Sequence, residues 1–214
     1  MALRVTVDPN RPEDRSLVLA AEVIQAGGVV VYPTETLYGI GANALDPRAA
    51  EKVLAAKGRG KGKPMLVLVP DVDSVKPLVS DVSPVAFALM ESFWPGPLTI
   101  VFPASRAIPP EVLGDGTSLG IRVPSSPLCL RLLRLAGSPL VSTSANKPGE
   151  VPLRSIDAIQ RTLTGGVDLF LDAGELPERK PSTVVDLTQD PPRLVREGEI
   201  ETVAVREIVR NLVT

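Results

Sequence analysis

The chain has no histidine and a single cysteine in 214 residues. Without histidine there is no Ser-His-Asp triad, no Cys-His pair and no zinc site of the His-Glu-His kind. Acid–base work near neutral pH then falls to Asp, Glu, Lys, Tyr or Cys. One thiol, Cys129, cannot build a cysteine zinc or iron–sulfur site, nor a disulfide scaffold within one chain. A lone thiol suits a reducing cytosol. Aromatic residues are only 3% of the chain, so the core must be aliphatic. No apolar run approaches the ~20 residues that span a bilayer. The opening segment MALRVTVDPNRPEDR lacks the basic-then-apolar layout of a signal peptide. The sequence therefore reads as a soluble cytoplasmic protein. A net charge of −2 argues against a protein that coats nucleic acid or anionic membrane.

What is present is ordinary globular material: 44% hydrophobic and 22% charged residues. The 22 prolines imply many fixed turns. Helical spacing is expected at 14–26, closed by Gly27-Gly28, at 47–57 with Pro47 at its start, and at 83–93. Further helices are expected at 126–136, with Ser126 as cap and Pro127 behind it, at 154–164 and at 202–213. Strands are expected in GVVVYPTE at 28–35, and at 64–70, 98–103, 119–124, 139–141, 167–174, 182–188 and 193–198. Interleaved strands and helices with no convincing internal boundary predict one α/β domain over 1–214, with a mixed sheet. Trp94-Pro95-Gly96-Pro97 reads as a rigid turn with a buried indole, and Cys129 as a core residue.

Three stretches suggest chemistry. In YPTETLYGIG, residues 32–41, a buried strand ends in a hydroxyl-rich segment. Thr34 and Thr36 suit a small polar substrate, and equally suit a turn in which their hydroxyls bond backbone. Lys57, Arg59, Lys61 and Lys63 alternate with glycines, an arrangement open to phosphate or carboxylate, or to a plain solvated loop. It is not a P-loop, which needs GxxxxGK followed by Ser or Thr. Ser142-Thr143-Ser144-Ala145-Asn146 can hold phosphate or ribose oxygens, or cap a helix. Singly weak signals are Arg122 and Arg196 at strand ends, and Ser182 and Thr183 opening a strand.

Taken in order, YPTETLYGIG (32–41), the KxR pair Lys57 and Arg59, PGPLT (95–99), IRVP (121–124), the SxN pair Ser144 and Asn146, STVVD (182–186) and VREG (195–198) closely resemble the YrdC-type L-threonylcarbamoyl-AMP synthases. The resemblance runs over about residues 14–200. It implies a twisted mixed sheet flanked by helices around a deep cationic cavity, the YrdC/RibB-like arrangement. It implies synthesis of threonylcarbamoyl-AMP from L-threonine, bicarbonate or CO2, and ATP. The product then goes to a threonylcarbamoyl transferase acting on adenosine 37 of tRNA. By the same resemblance Lys57, Arg59, Ser144 and Asn146 are the catalytic candidates. Lys61, Thr117 and Arg196 join them in binding ATP, and Thr34, Arg122, Ser142 and Ser182 hold threonine, with Ser118 at the rim. No dedicated metal site is expected, Mg2+ riding on the nucleotide.

Two departures stand out. Relatives commonly read KGRP, whereas Gly60-Lys61-Gly62-Lys63 separates Arg59 from Pro64. Some relatives carry a histidine where this chain has Leu68. Longer relatives add a second domain, so the chain resembles the short, single-domain form. The competing reading is a non-catalytic RNA- or tRNA-binding module on the same fold, which the net charge disfavours. Carbamoyl-activating domains of hydrogenase maturation sit in long, cysteine-rich chains, which this is not.

Overall fold

The computed structural model describes residues 2–58, 60, 62–163 and 165–214. Its strands are β1 (Leu3–Thr6), β2 (Val30–Pro33), β3 (Tyr38–Asn43), β4 (Leu66–Leu68), β5 (Leu98–Pro103), β6 (Ser118–Arg122), β7 (Leu140–Ser144), β8 (Leu169–Asp172), β9 (Thr183–Asp186) and β10 (Arg193–Arg196). The helices are α1 (Asp14–Gln25), α2 (Pro47–Ala56), α3 (Pro84–Phe93), α4 (Pro110–Leu113), α5 (Pro127–Ala136), α6 (Ile156–Thr162) and α7 (Thr202–Ile208), with a 3-10 turn at Asp73–Leu78. The strands form one ten-stranded sheet in the order β1-β8-β2-β3-β7-β4-β6-β5-β9-β10. Parallel pairs (β1/β8, β2/β8, β4/β6, β5/β9) mix with antiparallel ones (β2/β3, β3/β7, β4/β7, β5/β6, β9/β10). The expected mixed α/β sheet is present.

The helix boundaries follow local chemistry. Asp46 accepts a hydrogen bond from Arg48 N ahead of α2, Ser83 from Ala86 N ahead of α3, and Ser126 from Cys129 N ahead of α5. Each helix then begins with proline, whose missing N–H costs nothing in the first turn. Gly137 closes α5 in the left-handed conformation, which a side chain would strain.

Strand side chains alternate between two layers. Val29, Val31, Ile40, Val67, Ile100, Ile121 and Val141 pack with Val53 and Leu54 of α2 and Leu89 and Met90 of α3. Val30, Tyr32, Leu140, Leu169 and Leu171 face the other way, onto Leu17 and Ile24 of α1 and Leu128, Leu132 and Leu133 of α5. Cys129 belongs to this second layer. Burial raises its thiol to about 12, so it is an inert core residue. Trp94 is buried and donates from its indole to Leu98 O at 2.7 Å, as a rigid turn requires.

Three local expectations differ from the fold. Tyr38–Asn43 is a strand, not the tail of a loop, because β2 and β7 offer it a ladder on each side. β7 runs on through Ser144 for the same reason. The expected final helix 202–213 is correct only to Ile208. Beyond it, Val213 exchanges backbone hydrogen bonds with the chain beside β10, donating to Pro192 O and accepting from Leu194 N. β1 has no counterpart among the expected elements, being short and half-exposed.

Candidate active site

Helices α1 and α5 cover only part of their face of the sheet. Beyond them the same face carries small and polar side chains at every second residue. These are Thr99 and Val101 on β5, Ser118, Gly120 and Arg122 on β6, Ser142 and Ser144 on β7, and Val184 on β9. Together with Leu66 and Leu68 of β4 they floor a cavity of about 480 Å³. Its walls come from Thr34, Thr36 and Tyr38 at the β2–β3 turn, Asn146 and Glu150 after β7, Ser182 before β9, and Val195 and Arg196 of β10.

Of the residues expected at the site, Thr34, Arg122, Ser142, Ser144, Asn146, Ser182 and Arg196, with Ser118, line this single cavity. They come from positions spread over more than 160 residues of chain. Lys57 lies just behind the wall. It is buried, and its ammonium donates to Thr143 Oγ1 at 3.1 Å and to the Ser144 carbonyl. Thr117 is exposed and does not line the cavity; its carbonyl accepts from Ala104 N. Arg59 and Lys61 lie outside the described residues.

The turn holding Thr34 is the backbone-bonded one that its composition allows, and Thr34 also lines the cavity. Thr34 Oγ1 accepts from Thr36 N at 3.1 Å and Leu37 N at 3.0 Å, and donates to Leu37 O at 2.7 Å. The hydroxyl that faces the cavity thus also locks the turn. Asn146 is bound tightly on one side: its Nδ2 donates to Lys147 O at 2.9 Å and Glu150 O at 2.7 Å. Its buried Oδ1 has no partner among the described residues.

Arg122 is only 4% exposed, so its charge needs compensation. Glu35 supplies it: Arg122 Nη2 donates to Glu35 Oε1 at 2.5 Å, and Ser125 N donates to the same oxygen at 3.1 Å. Arg196 turns its guanidinium onto one residue, with Nε and Nη2 donating to Ser182 O at 3.0 and 2.8 Å and Nη2 to Ser182 Oγ at 3.2 Å. Arg196 is exposed at its strand, yet partial desolvation of its guanidinium against Ser182 lowers its pKa, and the nearby Arg122 cation lowers it further. Two guanidiniums in one field favour an anionic guest between them. The chain around Ser182 is fixed by the VREG segment. A side chain at Gly198 would stand 2.1 Å from Pro181 O, so only glycine lets β10's exit cross over Ser182.

Sequence reasoning missed Thr99, Gly120 and Leu66 of the floor and the role of Glu35. The floor did leave a signal. In Ser118-x-Gly120-x-Arg122 every second residue is small or polar while the intervening Leu119 and Ile121 are aliphatic. Glu35 left none, because its partner is 87 residues away.

The Sua5/YciO/YrdC family, described as "Telomere recombination", matches residues 22–198. The chain belongs to this family. It is 33% identical over 202 residues to the threonylcarbamoyl-AMP synthase of Pyrococcus abyssi, covering 94% of this chain and 59% of the relative. It is 38% identical over 164 residues to the threonylcarbamoyl-AMP synthase of Thiobacillus denitrificans, covering 77% and 87%. The crystal structure of P. abyssi Sua5 complexed with L-threonine superposes with a TM-score of 0.91 at 31% identity, covering all of this chain and 62% of that one. The chain thus spans about three fifths of the P. abyssi proteins. Among the described residues, no helix of this family member is long and apolar enough to cross a membrane.

Proposed function

We propose that the chain makes L-threonylcarbamoyl-AMP from L-threonine, bicarbonate or CO2, and ATP, releasing pyrophosphate. The carrying observation is the one cavity that gathers Thr34, Ser142, Ser144, Asn146 and Ser182 around the two arginines Arg122 and Arg196. Relatives named for this activity support the reading, as does a threonine complex of the same fold.

The chemistry suits such residues. The threonine amine attacks carbon of CO2, forming a C–N bond and releasing a proton. A carbamate oxygen then attacks the α-phosphorus of ATP, and the bond to the β-phosphate oxygen breaks as pyrophosphate leaves. Every reactant in the second step is anionic, so its barrier is lowered by cations and neutral donors. Histidine is not required for that work. In this reading Arg122 receives the threonine carboxylate beside Thr34 and Ser182. Arg196, Ser144 and Asn146 face the nucleotide phosphates. Lys57 stiffens the Thr143–Ser144 wall and adds positive charge behind it, while Arg59 and Lys61 complete the phosphate grip. Mg2+ enters as part of the nucleotide substrate. The product passes to a threonylcarbamoyl transferase that modifies adenosine 37 of tRNA, in the cytoplasm.

The test is turnover of the intact protein with ATP, bicarbonate and single amino acids, with pyrophosphate and the nucleotide product separated by chromatography. Pyrophosphate release must need both threonine and bicarbonate; release independent of either rejects the reading. A steep salt dependence of tRNA binding without turnover is the result that the RNA-binding module predicts instead.

A further inference from the structure

Two buried hydroxyls on the cavity floor have a proton to spare. Thr99 Oγ1 and Ser182 Oγ lie 2.9 Å apart, and both residues line the cavity at 2% and 3% exposure. Arg196 Nη2 can only donate, so Ser182 Oγ accepts from it. The pair owns two hydroxyl hydrogens, and only one can lie between the two oxygens. The other finds no acceptor among the described residues. Whichever way the bridging proton points, one O–H is left to donate into the cavity. A buried donor without an acceptor is costly, so a guest that brings an oxygen here gains what the free protein lacks.

The register says which oxygen that is. In the antiparallel β5/β6 pair Ile100 faces Ile121, so Thr99 and Arg122 are the next pair along, on the cavity face. Side chains paired this way stand about 5 Å apart at Cβ. Thr99 is thus the cross-strand neighbour of the arginine that would take the carboxylate of an α-amino acid, and both line the same cavity. The Thr99 methyl faces Gly120, where an added Cβ would stand 3.2 Å from Thr99 Cγ2 and 3.6 Å from Leu66 Cβ. With glycine there, the Thr99 methyl and the Leu66 side chain form apolar surface beside the hydroxyl pair, and a side chain at 120 would crowd it.

We infer that Thr99, coupled to Ser182, reads the β-hydroxyl of the amino-acid substrate, making it a specificity-determining residue. The inference rests on the proposed function for the identity of the substrate. It accounts for discrimination against substrates that lack the hydroxyl. A site built around an unpaired donor rejects them far more strongly than a hydrophobic pocket rejects a missing methyl.

The test compares L-threonine with L-2-aminobutyrate, which keeps the carbon skeleton and lacks only the hydroxyl. Binding is read by calorimetry and kcat/KM by pyrophosphate release, on the intact chain. The wild type should favour threonine, and Thr99→Val should lower kcat/KM for threonine roughly ten- to a hundredfold. The same variant should leave 2-aminobutyrate within about twofold, and Thr99→Ser should restore the preference for threonine. Gly120→Ala should weaken threonine more than L-serine, which lacks the methyl. Equal losses on threonine and 2-aminobutyrate in Thr99→Val would mean that the pair holds the carboxylate, and that overturns the inference. Wild type with no preference between the two ligands overturns it too, whatever the variants' folding. Selective threonine binding without pyrophosphate release supports the inference and rejects the proposed reaction.

Discussion

One face of the sheet is dressed in two ways, and β7 passes from one to the other. Its Leu140 packs under α1 and α5, whereas Ser142 and Ser144, two and four residues on, floor the cavity. All three side chains point the same way. Under the helices the face is Val30, Tyr32, Leu140, Leu169 and Leu171; beyond them it is Thr99, Ser118, Gly120, Arg122, Ser142 and Ser144. The opposite face is mainly apolar along the same strands, with Leu98, Ile100, Phe102, Leu119, Ile121 and Val141, and is broken by Thr143 and Thr183 near the strand ends. Hydrophobicity therefore marks where the helices lie, and its sustained interruption along one face marks the cavity floor. The covered half should govern stability and the bare half ligand handling, with buried charge as the exception that couples them.

The largest expected effect is at that exception. Arg122→Ala leaves the half-buried Glu35 without its cation, and the cost should fall at the lower end of the ~3–5 kcal/mol of a fully buried pair. Denaturant unfolding should show that loss, together with the loss of threonine binding. The double variant Arg122→Ala/Glu35→Ala should recover much of the stability and none of the binding. If the single variant unfolds like wild type, the ion pair is not what compensates Arg122.

Leu132→Ala probes the covered half. It removes a fully buried side chain between α5 and the sheet and should cost about 2–5 kcal/mol. Turnover per folded molecule should stay unchanged, measured below the lowered melting temperature.

Lys57→Ala sharpens the boundary. From the sequence alone, Lys57 is a loop cation whose removal lowers turnover at least tenfold and spares the melting temperature. The fold changes the second half of that expectation. Lys57 is 4% exposed and donates to Thr143 Oγ1 and Ser144 O, so truncation strands buried acceptors at about 1–3 kcal/mol. Calorimetric melting should show a drop beside the lost turnover, and an unmoved melting temperature would free Lys57 from the wall.

The smallest effect is alkaline. Burial raises Cys129 from its ordinary 9.0 to about 12 and Tyr38 from 10.0 to about 12. Both acids keep their protons longer in the folded chain, so their stabilisation is whole below pH 9 and fades as pH climbs toward 12. Between pH 9 and 10 the unfolding free energy should fall, and Cys129→Ala should make that fall shallower by about 1 kcal/mol per pH unit. Identical slopes would place the thiol in contact with water.

Much of the site could be read from the chain as a set of residues, and little of it as an arrangement. The ordered segments named Thr34, Arg122, Ser144, Asn146, Ser182 and Arg196, and all six line one cavity. Thr117, chosen from the same reasoning, faces solvent, because its hydroxyl sits one step before the strand alternation of β6 begins. YGIGAN is not among the strands expected from the sequence, where its glycines break the strand pattern. It pairs on both sides because Gly41 lets Val141 O and the Tyr32 ring approach where a side chain would collide.

The sequence by itself determined the aliphatic two-layer pattern, the capped starts of α2, α3 and α5, and a chemistry without histidine or metal-binding thiols. These depend on residue type and on spacing within a few residues. Only the tertiary structure decided that α1 and α5 stop short of half the sheet, that Glu35 compensates Arg122, that Arg196 clasps Ser182, and that Thr99 bonds Ser182. The side-chain contacts among them join residues 14 to 87 positions apart. Their partners are chosen by strand order and register, which local propensity does not encode.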